Sequence, residues 1–196
     1  MKCPFKIPVP LIPWPHIAFY CLSALTVTLA VIGLPLPFLI NQVQCITPWG
    51  YKINCDIADY TRKVDNLGDI GCQLIETRLE VITAFFLMGI FFETAAGVLF
   101  LLGYFFLHSA KLRWCIFTFA FATSACFIIS WALEAGTFVT DVCREGNGSY
   151  KDRNWLLTSG FAILVAAWSV SVATTILVAC YDPKFQEYSA KVEEVA

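Results

Sequence analysis

Four cysteines, two glutamates and one asparagine carry most of the chemistry this chain is equipped for. Cys45 and Cys55 bracket a short stretch with Gly50 midway, a spacing that suits a closed hairpin. Cys72 and Cys143 stand farther along, in polar stretches. Four cysteines allow three pairings. Ring closure within one hairpin is local, so Cys45–Cys55 is the expected bridge, leaving Cys72–Cys143 to tie two loops together. A disulfide closing so short a ring is worth about 2–3 kcal/mol in the chain-entropy model. Asn147, followed by Gly148 and Ser149, forms an N-glycosylation sequon. Glu93 and Glu134 are the other candidates, because each interrupts a long apolar run. The expected absences are as definite. The only histidines are His16 and His108, no phosphate-binding loop is present, and no Ser/His/Asp set can assemble on one side. No catalytic residue, metal ligand or cofactor is therefore expected.

The stretches that hold these residues decide what they can do. Hydrophobic residues make up 58% of the chain and charged residues 14%, against roughly 45–50% and 25% in soluble domains. A net charge of −2 gives no basic face for nucleic acid. A hydrocarbon core about 30 Å thick needs about 20 helical residues, and four stretches qualify: 17–40, 81–107, 114–138 and 155–180. Backbone groups in lipid must pair internally, which helices achieve alone. No alternating pattern of barrel strands is present. The first stretch is too long for the apolar part of a signal peptide and no A-x-A-like site follows, so it reads as a span. The expected organisation is a tail over 1–16, loops over 41–80 and 139–154, a tight turn over 108–113, and a tail over 181–196. Four crossings put both tails and the turn on one face and both loops on the other. Basic residues are divided too evenly to orient the chain. The sequon and the loop cysteines place the loops outside, because disulfides persist in oxidising compartments, and hence the tails in the cytosol at the plasma membrane.

Small residues at heptad spacing mark faces for close helix approach in lipid. In the second span these are Gly89, Ala96 and Gly103, with Glu93 on the same stripe. In the third they are Thr118, Ala122, Ala125, Ala132 and Gly136. In the fourth they are Ser159, Ala162, Ala166, Ser169 and Ala173. Their spacing suits left-handed packing. Trp14, Trp114 and Trp155 fall at span ends, where interfacial tryptophans sit. Asn154 is a candidate N-cap for the fourth span, with Asp152 as its rival. A mid-bilayer carboxylate costs about 2.5–3.5 kcal/mol and faces the bundle interior. Glu93 is then either a protonated carboxyl bonded to a hydroxyl such as Thr118 or Ser169, or a carrier of protons or ions. Glu134, nearer the outer end of its span, reads as a solvated or capped helix end.

Residues 45–55 also carry a family signature. Cys45, Ile46, Thr47, Trp49, Gly50, Lys52, Asn54 and Cys55 match the motif of the amastins, surface glycoproteins of kinetoplastid parasites, and the chain resembles them throughout. Pro48 departs from the motif, which prefers a large apolar residue there. Amastins are in turn similar to claudins and peripheral myelin protein. That resemblance implies an α-helical integral membrane protein: a left-handed four-helix transmembrane bundle carrying a small extracellular antiparallel β-sheet built from the two long loops. Arg78 sits where claudins place an arginine at the membrane edge.

Two function classes follow. The first is a non-enzymatic surface glycoprotein for membrane organisation, adhesion or host-membrane contact through its stapled first loop. Its partners would be membrane lipids, and beyond them a second copy, a surface protein or an opposing membrane. In it the signature residues either contact the partner or only brace the loop, and Trp49 either anchors an interface or plugs the bundle top. The second is a transporter, channel or channel subunit that uses Glu93.

Overall fold

The computed structural model describes residues 14–57, 59–63, 73–105, 110–140 and 149–180. In chain order these form helix α1 (Trp14–Gly33), strands β1 (Leu39–Asn41), β2 (Gln44–Thr47), β3 (Gly50–Lys52) and β4 (Arg62–Lys63), helices α2 (Gln73–Phe105) and α3 (Ala110–Val139), strand β5 (Leu156–Leu157) and helix α4 (Ser159–Cys180). All four helices are long and apolar enough to cross a membrane.

Their bounds differ from the hydropathy boundaries for local reasons. The first helix stops at Gly33, seven residues short of 40. Pro35 and Pro37 follow, and a residue before proline is pushed out of helical geometry, which releases Phe38 and Leu39 into the sheet. Helix α2 starts at Gln73, well before 81. Its first turns carry Glu76, Arg78 and Glu80, a polar extension beyond the apolar span, with Glu76 favourably placed at the helix N-terminus. Helix α4 starts at Ser159, not 155, because Leu156 and Leu157 are taken by β5.

Helix α2 packs chiefly on α3, and α1 on α4, with α3 on α4 and α1 on α2 closing the ring. Three apolar layers fill the interior. At the sheet end lie Phe38, Leu39, Ile46, Ile75, Leu79, Ile82 and Trp155. In the middle lie Ala30, Phe86, Phe127, Leu164 and Ala167. At the opposite end lie Phe19, Ala96, Ile116 and Val178. Hydroxyls bridge the helices between them. Ser124 meets Ser171 at 3.0 Å and Thr175 at 3.2 Å, and Ser130 donates to the Ile82 carbonyl at 3.2 Å.

The small-residue stripes hold for one helix only. Gly89, Glu93 and Ala96 are buried on α2. On α3, Thr118 and Ala132 are exposed, and Ala120, Thr123, Phe127, Ser130 and Thr137 turn inward instead. On α4, Ser159, Ala162, Ser169 and Ala173 are exposed, while Gly160, Leu164, Ala167, Ser171, Thr174 and Val178 are buried. Small residues ring both helices, so size alone does not choose a face. The choice comes from pairing large with small: Phe127 lies so close to Gly89 that a Cβ there would stand 2.4 Å from its ring.

The five strands form one antiparallel sheet in the order β4-β3-β2-β1-β5. Ile40 pairs with Cys45, Thr47 with Gly50, and Leu39 with Leu157. The fifth strand comes from the second loop, so both loops build the sheet, as the resemblance implied. The segment before β1 is stitched to the start of α4. Gly160 N–H donates to the Pro37 carbonyl and Thr158 N–H to the Phe38 carbonyl, each at 3.0 Å. A Cβ on Gly160 would meet the Pro37 oxygen at 2.5 Å, so this approach requires glycine. Trp155 is buried in the sheet-end layer, packed edge-on against Tyr150, and does not stand at a lipid interface. Trp114 does stand outward, at 69% exposure. The Trp14 side chain lies outside the described residues.

Candidate functional site

The signature loop is two linked hairpins. Gln42 and Val43 turn β1 into β2, with Gln42 at φ 53°, a left-handed conformation uncommon for a side chain of its kind. Pro48 and Trp49 turn β2 into β3, ending on Gly50 at φ 148°. L side chains rarely adopt that value, which accounts for the glycine of the signature. Proline presets the backbone for the first central position of a turn, so Pro48 suits the place where it departs from the family motif.

Each remaining signature residue braces the loop. Thr47 is buried; its hydroxyl donates to the Gly50 carbonyl and accepts from the Trp49 N–H, both at 3.2 Å. The Thr83 hydroxyl of α2 lies between two carbonyls, Leu79 at 2.8 Å and Pro48 at 3.1 Å, and shares its one hydrogen between them. The Trp49 indole N–H donates to the Leu34 carbonyl at 3.1 Å, satisfying an acceptor just past the end of α1. Trp49 is nonetheless 38% exposed. Ile46 lies in the core layer. Lys52 donates to the Ile57 carbonyl at 3.1 Å and stands 4.5 Å over the Tyr60 ring. Asn54 accepts from the Asp56 N–H at 3.0 Å, closing an Asx turn.

Cys45 is buried and Cys55 half-buried, and both are free thiols. They are neighbours: Cys45 shares a hydrogen bond with Cys55, whose N–H donates to the Val43 carbonyl at 3.0 Å. Burial first, and then that shared hydrogen, pushes the Cys45 thiol up to about 12. Three apolar side chains in the turns that flank this pair along the chain are exposed: Val43 at 61%, Ile53 at 53% and Ile57 at 52%. The sequence reading did not single out Val43 or Ile57. Only their place in extramembrane turns, one residue past Gln42 and three past Asn54, hinted at them.

The second loop braces the first. Asn41 donates to the Arg153 carbonyl at 3.3 Å. Asp152 is exposed and accepts from the hydroxyl and N–H of Ser149, at 2.7 and 3.1 Å, which hold its carboxyl below the usual range. Asn154 does not cap α4. It sits at φ 61° in the turn before β5, and Asp152 is likewise engaged elsewhere. Arg78 donates to the Thr140 hydroxyl at 3.0 Å, joining the polar start of α2 to the end of α3.

Glu93 is fully buried, 0% exposed. Its carboxyl faces the hydroxyls of Ser23 on α1 and Thr123 on α3, though neither oxygen makes a hydrogen bond of ordinary geometry. The expected partners are not the ones found. Thr118 and Ser169 are exposed and donate to the carbonyls one turn back on their own helices. Thr123 also donates backward, to Phe119 at 3.1 Å, so only its lone pairs face Glu93. Glu134 is buried as well, at 3% exposure, with Oε2 unpartnered, which overturns its reading as a solvated helix end. Thr123 faces Glu93, and Glu134 stands eleven residues farther along α3 toward the sheet, so the two carboxyls are about 16 Å apart in depth at 1.5 Å per residue.

Cys72, Cys143 and Asn147 lie outside the described residues. Among the described residues, no three His, Cys, Asp or Glu side chains gather as metal ligands. In comparison with known proteins, the family model for amastin surface glycoproteins matches residues 17–178. No curated protein matches the chain.

Proposed function

Because the chain belongs to the amastin surface glycoprotein family, we propose that it is a non-enzymatic cell-surface glycoprotein whose first loop makes contact with an opposing membrane, a second copy or a surface partner. One observation carries this reading: Val43, Ile53 and Ile57 stand exposed on extramembrane turns that the signature residues hold in place from behind. An apolar cluster held outward in water marks a contact surface. The signature then builds the platform, and the residues between its members do the touching.

The same reading puts the sheet outside the cell and both tails in the cytosol. In an oxidising compartment the adjacent Cys45 and Cys55 close into a disulfide, and Cys72 pairs with Cys143. Asn147 carries a glycan. Ser149, the third residue of that sequon, is buried and bonded to Asp152, so glycan addition precedes closure of this turn. The test is adhesion of vesicles or cells displaying the chain, with Val43, Ile53 and Ile57 all changed to Asp. We expect adhesion to fall about tenfold with folding unchanged. Undiminished adhesion by a folded triple variant would sink the proposal.

Transport remains the second reading, and Glu93 is what favours it. Against it stand the apolar layers on either side of that carboxyl, Phe86, Phe127 and Leu164 toward the sheet and Phe19, Ala96 and Val178 toward the other end. Proton or sodium flux in reconstituted vesicles, lost in Glu93→Gln, would establish it.

A further inference from the structure

We infer that Cys21, Cys115 and Cys180 are sites of S-acylation by a long-chain fatty acyl thioester. The four membrane-spanning helices carry four cysteines among the described residues, and they divide by place. Cys126, in the middle of α3, is buried, whereas Cys21, Cys115 and Cys180 are exposed on three different helices. All three fall at the bundle end opposite the sheet. Phe19, Ile116 and Val178 share the core layer there; Cys21 and Cys180 are two residues from the first and last of these, and Cys115 precedes Ile116. At 1.5 Å per residue the three positions fall in a band about 6 Å deep.

A second observation marks that band as the membrane edge. Trp114, beside Cys115, is 69% exposed, and outward tryptophans at helix ends mark the headgroup level. A thiol at this depth meets acyl donors from the water and has lipid beside it. The outer helix surface also suits the attached chain. Ile17 and Leu25 lie one turn either side of Cys21, and Ile176 lies one turn before Cys180, all exposed. Juxtamembrane cysteines of this kind are the ordinary substrates of reversible acylation.

The chemistry balances without oxidant or reductant. The cysteine thiolate attacks the carbonyl carbon of a long-chain acyl-CoA and a new C–S bond forms. The bond from that carbon to the coenzyme sulfur breaks, and the coenzyme leaves as a thiol, taking up the proton the cysteine lost. Acyl-CoA is cytosolic, so this inference rests on the reading that places the tails in the cytosol.

The test is thioester mass-tag exchange on the full chain from cells fed alkynyl palmitate, in a Cys3→Ala background because Cys3 lies outside the described residues. We expect a hydroxylamine-dependent ladder of up to three steps. Cys21→Ala, Cys115→Ala and Cys180→Ala each remove one step, and Cys126→Ala removes none. Peptide mapping of the chain with these four cysteines intact gives the sites directly, even where a variant folds poorly. A C-terminal tag probed on intact cells is scored alongside. With the tag hidden, a missing ladder or label mapped elsewhere overturns acylation alone. With the tag reached from outside, the sidedness reading falls and this inference falls with it.

Discussion

Glu93 shows how donor counting at one residue decides a role. Ser23 has a hydrogen to give, but Thr123 has given its own to Phe119, so the carboxyl is one donor short unless it keeps its proton. Glu93→Gln supplies that donor through its amide and should retain folding and surface expression. Glu93→Leu should lose roughly 1–2 kcal/mol of helix association, read as a lower midpoint of unfolding in detergent. Equal stability of the two variants would refute the counting. Gly89 and Gly50 make the complementary point about space and backbone. Gly89→Ala drives a methyl into the Phe127 ring and should cost about 1–3 kcal/mol. Gly50→Ala strains a φ of 148° at a similar cost of about 1–3 kcal/mol, and should loosen the loop while leaving the helices intact.

The sheet end is the element on which pH acts. Burial raises the hydroxyl of Tyr51, pushes that of Tyr150 up to about 12, and does the same to the Cys45 thiol. A group that holds its proton longer when folded contributes stability below its unfolded pKa and loses it as pH rises toward the folded value. The thiol ordinarily titrates at 9.0 and the tyrosines at 10.0. The loop should therefore begin to open above about pH 9, and the opening should be complete near pH 12. Near-ultraviolet circular dichroism, to which the packed Trp155 and Tyr150 rings contribute, reads this. Oxidation of Cys45 with Cys55 removes the thiol's share, so added reductant should shift the onset to lower pH. An onset unaffected by reductant would argue that the two cysteines are not bridged. Mass spectrometry of unreduced peptides tests the pairing independently, and a Cys45–Cys72 crosslink would overturn it.

For the whole molecule the open variable is which end faces out. The start of α1, the end of α2, the start of α3 and the end of α4 all lie opposite the sheet, so a single measurement orients the bundle. Glycosidase should shift the mobility of the native chain and leave Asn147→Gln unshifted. Partial occupancy is expected, since Ser149 is drawn into its turn by Asp152.

The four spans, their apolar character, the antiparallel order and the inward turn of Glu93 were legible in the sequence, because length and hydropathy are set by the bilayer and not by neighbouring helices. The glycine of the loop was legible for a related reason: a tight turn fixes where a residue able to take a φ of 148° must stand. The faces of α3 and α4 were not. Their small residues are spread around the whole circumference, and only the mutual fit of Phe127 to Gly89 and of Gly160 to Pro37 selects one side. Trp155 looked interfacial until the second loop folded back to pair Leu157 with Leu39, an event across the chain with no local trace. Thr123 was missed as the partner of Glu93 because helix rotation about its axis, not sequence spacing, decides which hydroxyl faces the carboxyl.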